Sequence, residues 1–336
     1  MGRVSVAFRR QPILHRSPQA LAFAKSATER RTIVPQTMPA LCLIAAPGRR
    51  RATIDIAREA ERRGYQGIYV PSIFSNMSVC EALAWSTERI TFGTGIAPIY
   101  AQTVPDFAQA TAFIHEVSGG RFRFGIGVAH APSHARMEVT AGKPISDTRE
   151  FVRKWRAVEG QGAQPPLIIA ALRQKMTALA GKIGEGVIWA NASRSAMGTS
   201  LAHLPAGKRD DAAFFIGNMI PTCISDDIEA AKAVNRRTLT NYLHLPNYRN
   251  YWKESGYVEE MAAVERAIAE KRTDELPQLM TDKWLADVSL FGPPARVRDE
   301  LQAWYAAGVR TPVIVPSSAA GNQLRAVEDV FATFTG

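Results

Sequence analysis

Gly125-Ile126-Gly127-Val128-Ala129-His130 is the run in this 336-residue chain whose residue types and spacing most suggest chemistry. Glycines and small residues leave the backbone bare there, and a histidine follows. Comparable bare stretches are Thr94-Gly95 and Ala170-Ala171. A broad planar ring can lie directly on such backbone, with free N–H groups reaching ring oxygens or phosphates. Tight turns in a compact barrel need the same residues. Leu172-Arg173-Gln174-Lys175 reads as a helix start, where N–H groups and the dipole favour an anion. A basic helix start facing water has the same composition. His130 and His134 have the spacing of a helical metal pair, but Pro132 between them argues against a helix, and no HExxH glutamate is present. No metal is therefore expected, and His130 reads as a hydrogen-bonding residue for ring or substrate. The aromatic stretch Tyr242 to Trp252 could wall a substrate pocket or pack between helices.

Other chemistries lack their signatures. His130 stands where the third glycine of GxGxxG belongs, so a dinucleotide Rossmann site is unsupported. There is no GxxxxGK[ST] for phosphoryl transfer and no GxSxG nucleophile elbow. Paired carboxylates are missing from the expected strand ends, which weakens a glycosidase reading. A chain without its own catalytic set suits an enzyme whose cofactor carries the hard chemistry.

The elements that must position these residues alternate from Met38 onward. Short apolar runs read as strands at 41–45, 67–71, 90–95, 122–127, 167–170, 186–190, 212–219 and 311–315. Helices fall between them, for example at 50–63, with Ile54, Ala57 and Ala60 at helical spacing, and from Pro105, a first-turn proline. Val128 to Lys143 reads as a long polar connection, 247–286 as extra helices, and Pro293 to Ala307 as the final helix. Eight strands separated by amphipathic helices imply an α/β fold with a parallel sheet covered by helices, most simply a closed (β/α)8 barrel. A doubly wound open sheet is the alternative. In a barrel the site lies at the C-terminal strand ends, where all of these small-residue stretches fall.

The net charge is +10, but residues 1–37 hold seven Lys/Arg and one acid, leaving 38–336 nearly balanced. That distribution argues against a nucleic-acid surface. The basic leader reads as disordered, or as lying upstream of the natural start. Three scattered cysteines (Cys42, Cys80, Cys223) fit a reducing, cytoplasmic compartment. No apolar stretch is long enough for a membrane span.

Ile90-Thr-Phe-Gly-Thr-Gly-Ile-Ala-Pro-Ile-Tyr100 and Ser118-Gly-Gly-Arg-Phe-Arg-Phe-Gly-Ile-Gly-Val-Ala-His-Ala-Pro132 together resemble the luciferase-like monooxygenase superfamily. That class includes bacterial luciferase and deazaflavin-dependent reductases. Val139 to Pro144, Leu243 to Tyr248 and Gly292 to Leu301 extend the likeness, which runs from Met38 to the C-terminus. The resemblance implies a TIM-type barrel with a helical insertion before the last helix, commonly dimeric, acting on a small organic substrate. It implies reduced FMN, for monooxygenation, or the deazaflavin coenzyme F-420, for hydride transfer. By matching position, Thr94 and Gly95 would meet the ring, near a non-proline cis peptide. Gly127, Val128, Ala129 and His130 would line ring and tail. Ala171, Leu172 and Arg173 would sit near the phosphate, and Asn191 and Ala192 would follow the sixth strand. His130 is the candidate catalytic residue; Tyr100, Trp189 and Tyr248 are candidates for the substrate pocket. Many deazaflavin dehydrogenases of the class carry Asp-His after the second strand, where this chain has Pro71-Ser72-Ile73-Phe74. That departure puts alcohol dehydrogenation by that pair in doubt, and leaves a non-catalytic flavin-binding protein as the alternative.

Overall fold

The computed structural model describes residues 38–72 and 76–335. The basic leader, Ile73 and Phe74 therefore lie outside the described residues. In chain order the first half comprises β1 (Ala40–Cys42), α1 (Arg50–Arg62), β2 (Gly67–Val70), α2 (Asn76–Ser86), β3 (Thr91–Pro98), α3 (Val104–Val117), β4 (Phe122–Gly127), α4 (Ala131–Arg136), α5 (Pro144–Arg156), β5 (Leu167–Ala170) and α6 (Gln174–Ile183). The second half comprises β6 (Gly186–Ala190), α7 (Met197–Ala202), β7 (Phe215–Ile224), α8 (Ile228–Leu243), α9 (Pro246–Glu254), α10 (Val258–Ala269), α11 (Asp282–Val288), β8 (Leu290–Gly292), α12 (Pro294–Ala306), β9 (Thr311–Ser317) and α13 (Gln323–Thr333).

Strands β1 to β7 and β9 pair in parallel, and the β6–β7 and β1–β9 pairings close them into an eight-stranded barrel. All eight strands read from the apolar runs are these barrel strands. Side chains alternate about the wall, as period-two geometry requires. Ala40, Cys42, Tyr69, Ile168, Ile188, Phe215, Met219 and Val313 form the lumen cluster, with Tyr69 and Phe215 rings 5.3 Å apart. The intervening residues form the larger layer between strands and helices. The lumen is thus a packed core, and the site must lie at its mouth.

Four readings need correction. Strand β7 runs to Ile224 rather than stopping at Met219. Pro221 falls in the gap between pairing to β6, which ends at Met219, and pairing to the short extra strand β8, which starts at Thr222, so its missing N–H costs no bond on that side. The connection after β4 contains α4, with Pro132 in its first turn, where proline is tolerated. The extra helices α9 to α11 precede α12 as expected, but α12 is not the last helix. Helix α13 follows, capped by Asn322 Oδ1 on the Leu324 N–H at 2.9 Å. Lastly, the described residues contain no cis peptide, so the cis linkage implied beside Thr94 is not found.

The Ser118-Gly-Gly-Arg121 run has a structural purpose. From Nε, Arg121 donates to the carbonyl of Ser118; its terminal nitrogens reach the carbonyls of Ala84, Thr87 and Ile90 and the Thr87 hydroxyl, all at 2.8–3.2 Å. Its guanidinium also lies over the Phe92 ring at 5.2 Å. One side chain thus ties the ends of α2 and α3 to the entry of β3. Bonds to a charged donor contribute roughly 1.5–3 kcal/mol each when not redundant. Arg121→Ala is expected to lower unfolding stability by roughly 2–4 kcal/mol in a denaturant titration, with Arg121→Lys recovering only part. A change within the error of the midpoint would remove this role.

Candidate cofactor and substrate site

Strands β3 and β4 approach closely at the mouth. A Cβ built at Gly125 would lie 2.0 Å from the Thr94 carbonyl oxygen, so no other residue fits there. The buried Thr94 hydroxyl donates to the Gly125 carbonyl at 2.8 Å and accepts from its N–H at 2.9 Å. Beyond this strap the β3–β4 register shifts between Thr94 and Ala97. Such irregularities bend a strand and re-aim the residues after the bend. Thr94 therefore lies inside β3, which runs on to Pro98 and does not end at Gly95 as read from the sequence, and its hydroxyl is taken up by β4. Gly95 follows on the lumen side, where a Cβ would come 3.1 Å from Met219 Sδ.

Gly127 ends β4 on the mouth side. A Cβ there would lie 2.7 Å from Ile96 Cγ2 and 3.2 Å from Ala170 Cβ. The bare surface across β3, β4 and β5 is thus a cradle that side chains would fill. After Gly127 the chain turns at Ala129, whose φ of 56° is the left-handed region. His134 fixes this turn by donating from Nε2 to the Val128 carbonyl at 2.5 Å. His130 caps α4 in extended conformation, its carbonyl accepting the N–H groups of Ser133 and His134. The two histidines lie four apart, with His134 Nε2 held by the Val128 carbonyl. The His130 ring meets Tyr248 edge-on at 5.6 Å. Burial, and secondarily His134, push its pKa below the usual histidine value.

At the end of β5, Ala171 is buried and donates to the Ile188 carbonyl at 2.9 Å. Leu172 and Arg173 then lead into α6, with Arg173 as its N-cap residue. Arg173 makes a two-pronged ion pair with Glu254 at the end of α9, Nε lying 3.0 Å from both carboxylate oxygens. A cavity of about 190 Å3 opens beside this pair, with Gln174, Thr177, Ser195, Thr199 and His203 among its lining. Hydroxyls and free helix N–H groups make it suited to a phosphate.

At the end of β6, Asn191 also has a left-handed backbone, φ 57°. Its N–H donates to the Met219 carbonyl, and its carbonyl accepts from Trp252 Nε1 at 3.3 Å. Ala192 N–H reaches Asn218 Oδ1 at 3.4 Å, and Ser193 N–H donates to the Tyr251 hydroxyl at 3.0 Å. The aromatic stretch thus packs between the insertion and the strand ends, the second of the two readings considered for it. Tyr251 and Trp252 bind the β6 loop to the insertion, and Tyr248 walls the mouth against His130. The Asn191 side chain is buried against the Tyr242 and Tyr248 hydroxyls.

Two of the pocket expectations fare differently. Trp189 is misplaced by the sequence reading: it is fully buried among the outward-facing residues of β6, while Ile188 and Ala190 face the lumen. Position alternation excludes it from the mouth. Tyr100 lies at the rim, its hydroxyl donating to Asp147 Oδ2 and its ring edge-on to His134 at 5.4 Å. A second cavity of about 230 Å3, lined by Asn76, Met77, Pro98, Gln102, Ser133 and Met137, lies nearby. Glu254 and Ser195 were missed by sequence reasoning, and neither carried a local signal.

Comparison with known proteins agrees with this geometry. The luciferase-like monooxygenase family matches residues 38–311, and the chain belongs to that family. A Mycobacterium tuberculosis protein named as a candidate coenzyme F-420-dependent oxidoreductase is 24% identical over 79% of this chain and 90% of its own length. The 5,10-methylenetetrahydromethanopterin reductase of Methanolobus tindarius is 24% identical over 53% of this chain and 62% of its own. The fold is shared with the F-420-dependent tetrahydromethanopterin reductase of Methanopyrus kandleri (TM-score 0.70, 17% identity, 89% of this chain and 98% of that one). It is shared too with the FMN-bound oxygenating constituent of 3,6-diketocamphane monooxygenase from Pseudomonas putida (TM-score 0.55, 14% identity, 89% and 98%). The chain is a flavin- or deazaflavin-dependent oxidoreductase, which sets the non-catalytic alternative aside. No helix among the described residues is long and apolar enough to cross a membrane.

The depressed His130 pKa has a stability consequence. Unfolding lets the imidazole bind a proton that the folded state refuses, so this contribution is complete above the unfolded value and is lost as pH falls through it toward the folded one. In an NMR titration His130 is expected to titrate below about 6.5, the ordinary histidine value. His130→Gln should reduce the acid loss of stability below that pH. A titration midpoint at or above the ordinary value would contradict this placement.

Proposed function

We propose that this enzyme is a coenzyme F-420-dependent reductase, which transfers hydride and does not activate oxygen. The Arg173–Glu254 pair carries the reading. The phosphate-type cavity at the start of α6 has its arginine already matched by a carboxylate. A deazaflavin phosphodiester brings one negative charge, which the helix N–H groups and hydroxyls can hold. The FMN phosphate monoester brings close to two at neutral pH, and Glu254 opposes the second. The name of the Mycobacterium tuberculosis relative supports the same choice.

The residues fit such a group. The cradle at Gly127 and Ala170 is closed to larger side chains. When bound, the deazaflavin supplies a ring carbon that gives or takes hydride. The chain supplies the rest. Ala129 and Asn191 aim their backbones by left-handed turns, which His134 and Trp252 hold. His130 stays neutral, and Tyr248 and Trp252 keep water from the mouth. Gln174, Thr177, Ser195 and Thr199 surround the phosphate position.

Titrating the cofactor-free protein with each coenzyme, read by tryptophan fluorescence, tests this. Coenzyme F-420 is expected to bind at least about tenfold tighter than FMN, a difference of about 1.4 kcal/mol. Glu254→Gln should narrow the gap by improving FMN binding. Tighter FMN binding by the unaltered protein would reverse the assignment.

We also propose that the enzyme is a homodimer joined through the outer faces of α2 and α3. Trp85 on α2 is 69% exposed and Phe113 on α3 is 47% exposed, on two helices that pack side by side and carry few charges. Apolar surface of this kind marks an interface. Sedimentation should give a dimer for the unaltered chain and a monomer for the Trp85→Glu, Phe113→Glu double variant. A monomeric unaltered chain at micromolar concentration would dismiss it.

A further inference from the structure

The cavity of about 230 Å3 near Tyr100 stands apart from the phosphate-type cavity. The latter lies past the ends of β5 and β6, against α6 and α9; the former lies at the ends of β2 and β3, flanked by α4. The bare cradle across β3, β4 and β5 falls between the two. A ring in the cradle with its tail toward α6 therefore has this cavity at its other edge. Cavity and cradle meet along the bent end of β3. Ile96 sits where the β3–β4 register shifts, and its Cγ2 lies 2.7 Å from the place of a Gly127 Cβ, on the cradle side. Its carbonyl accepts from Nδ2 of Asn76 at 3.2 Å, and Asn76, only 5% exposed, lines the cavity. Pro98, two residues on, lines the cavity as well.

The lining has an apolar body and one charge. Met77, Met137 and Phe107 supply two adaptable thioethers and a ring. Arg136 is the one charged side chain of the lining among the described residues. It donates to the Ser133 hydroxyl at 3.1 Å, and both residues border the cavity from α4. Helix α2 adds its first turn, in which Asn76, Met77 and Ser78 line the cavity and no residue is acidic. A guanidinium and the positive end of a helix dipole thus border one small space, a combination that favours an anion. Asp147 at the rim is already engaged, by the Tyr100 hydroxyl and the Gly142 N–H. Pockets for drug-sized ligands run to about 300–1,000 Å3, so the occupant here is small.

We propose that this cavity is the substrate pocket and that the substrate is a small organic carboxylate with an apolar body, its carboxylate on Arg136 and its body against Met77, Met137 and Phe107. This rests on the hydride-transfer reading of the enzyme, in which the ring in the cradle needs a substrate at its open edge. Arginine gives a carboxylate two parallel bonds, which fix orientation as well as charge. The anchored end stays at the rim, and the reacting end reaches the ring over the bent end of β3. Orientation by a group remote from the reacting atoms lowers the entropic part of the barrier.

The test uses the full chain with isotope-labelled methionine methyls, followed by NMR, and two probes of one shape: benzoate and its neutral counterpart benzamide. Met77→Leu and Met137→Leu assign the two signals, since each removes one. Benzoate is expected to shift both methyls saturably through its ring current, and to bind about tenfold tighter than benzamide. Arg136→Gln should weaken benzoate about tenfold, the effect of losing a bond between charged groups, and leave benzamide unchanged. Thermal melting checks that the variant folds, and Arg136→Lys should recover part of the preference. Methyls indifferent to benzoate, equal binding of the two probes, or a preference that survives Arg136→Gln overturns the pocket. An F-420 titration of the same protein, read by tryptophan fluorescence, separates the readings: bound F-420 with indifferent methyls defeats only the pocket, and no bound F-420 defeats the hydride-transfer reading.

Discussion

The contact on which the site depends is the approach of β3 to β4 at Thr94 and Gly125. With 2.0 Å between a hypothetical Gly125 Cβ and the Thr94 carbonyl oxygen, the two backbones touch where neighbouring strands ordinarily keep side chains between them and the lumen. The Thr94 hydroxyl bridges both backbone groups of Gly125 and keeps that polar pair satisfied. The register slips immediately afterwards, so β3 continues to Pro98 and its end is turned across the mouth. Gly95, Gly127 and Ala170 then present bare backbone on one side of the barrel opening. A bulkier residue at the contact would part the strands and close that surface.

The opposite side of the opening is built from aromatic rings of the insertion together with Tyr242 of α8 and His130 after β4. His130, Tyr248, Tyr242, Trp252 and Trp284 form a continuous set of ring contacts between 4.9 and 5.6 Å. Tyr257 continues it, donating to Asp287, whose carboxylate also accepts the Ser195 hydroxyl. The wall therefore links the mouth to the loop beside the phosphate-type cavity. The ring set itself carries no charge, and the Arg173–Glu254 pair stands at the rim. That division suits hydride chemistry, where water and stray protons must be kept from the reacting carbon while the anionic tail stays near solvent.

Much of this was legible in the residues. Short, nearly continuous apolar runs marked all eight barrel strands, because a strand buried on both faces has few polar positions to interrupt it. The glycine-rich strand ends and Arg173 were visible for the same local reason: only small residues, or a helix start, explain their composition. Less visible were features that depend on the residues lying opposite. Trp189 was a candidate for the pocket, and alternation sent it to the helix layer instead. The second half of β7 was hidden by Pro221, acceptable only because two partners hand over at that point.

What the sequence determined alone is the order of elements, the barrel class and the family, since hydrophobic period and local motifs are properties of neighbours along the chain. What only the tertiary structure decided is the state of each site residue. Thr94 is occupied by Gly125, Arg173 by Glu254, and His134 by Val128. Those outcomes depend on side chains distant in sequence, Glu254 lying 81 residues from Arg173, and no local pattern encodes such a meeting. The partner that a polar group finds across the barrel mouth, more than its own identity, sets what it can still bind.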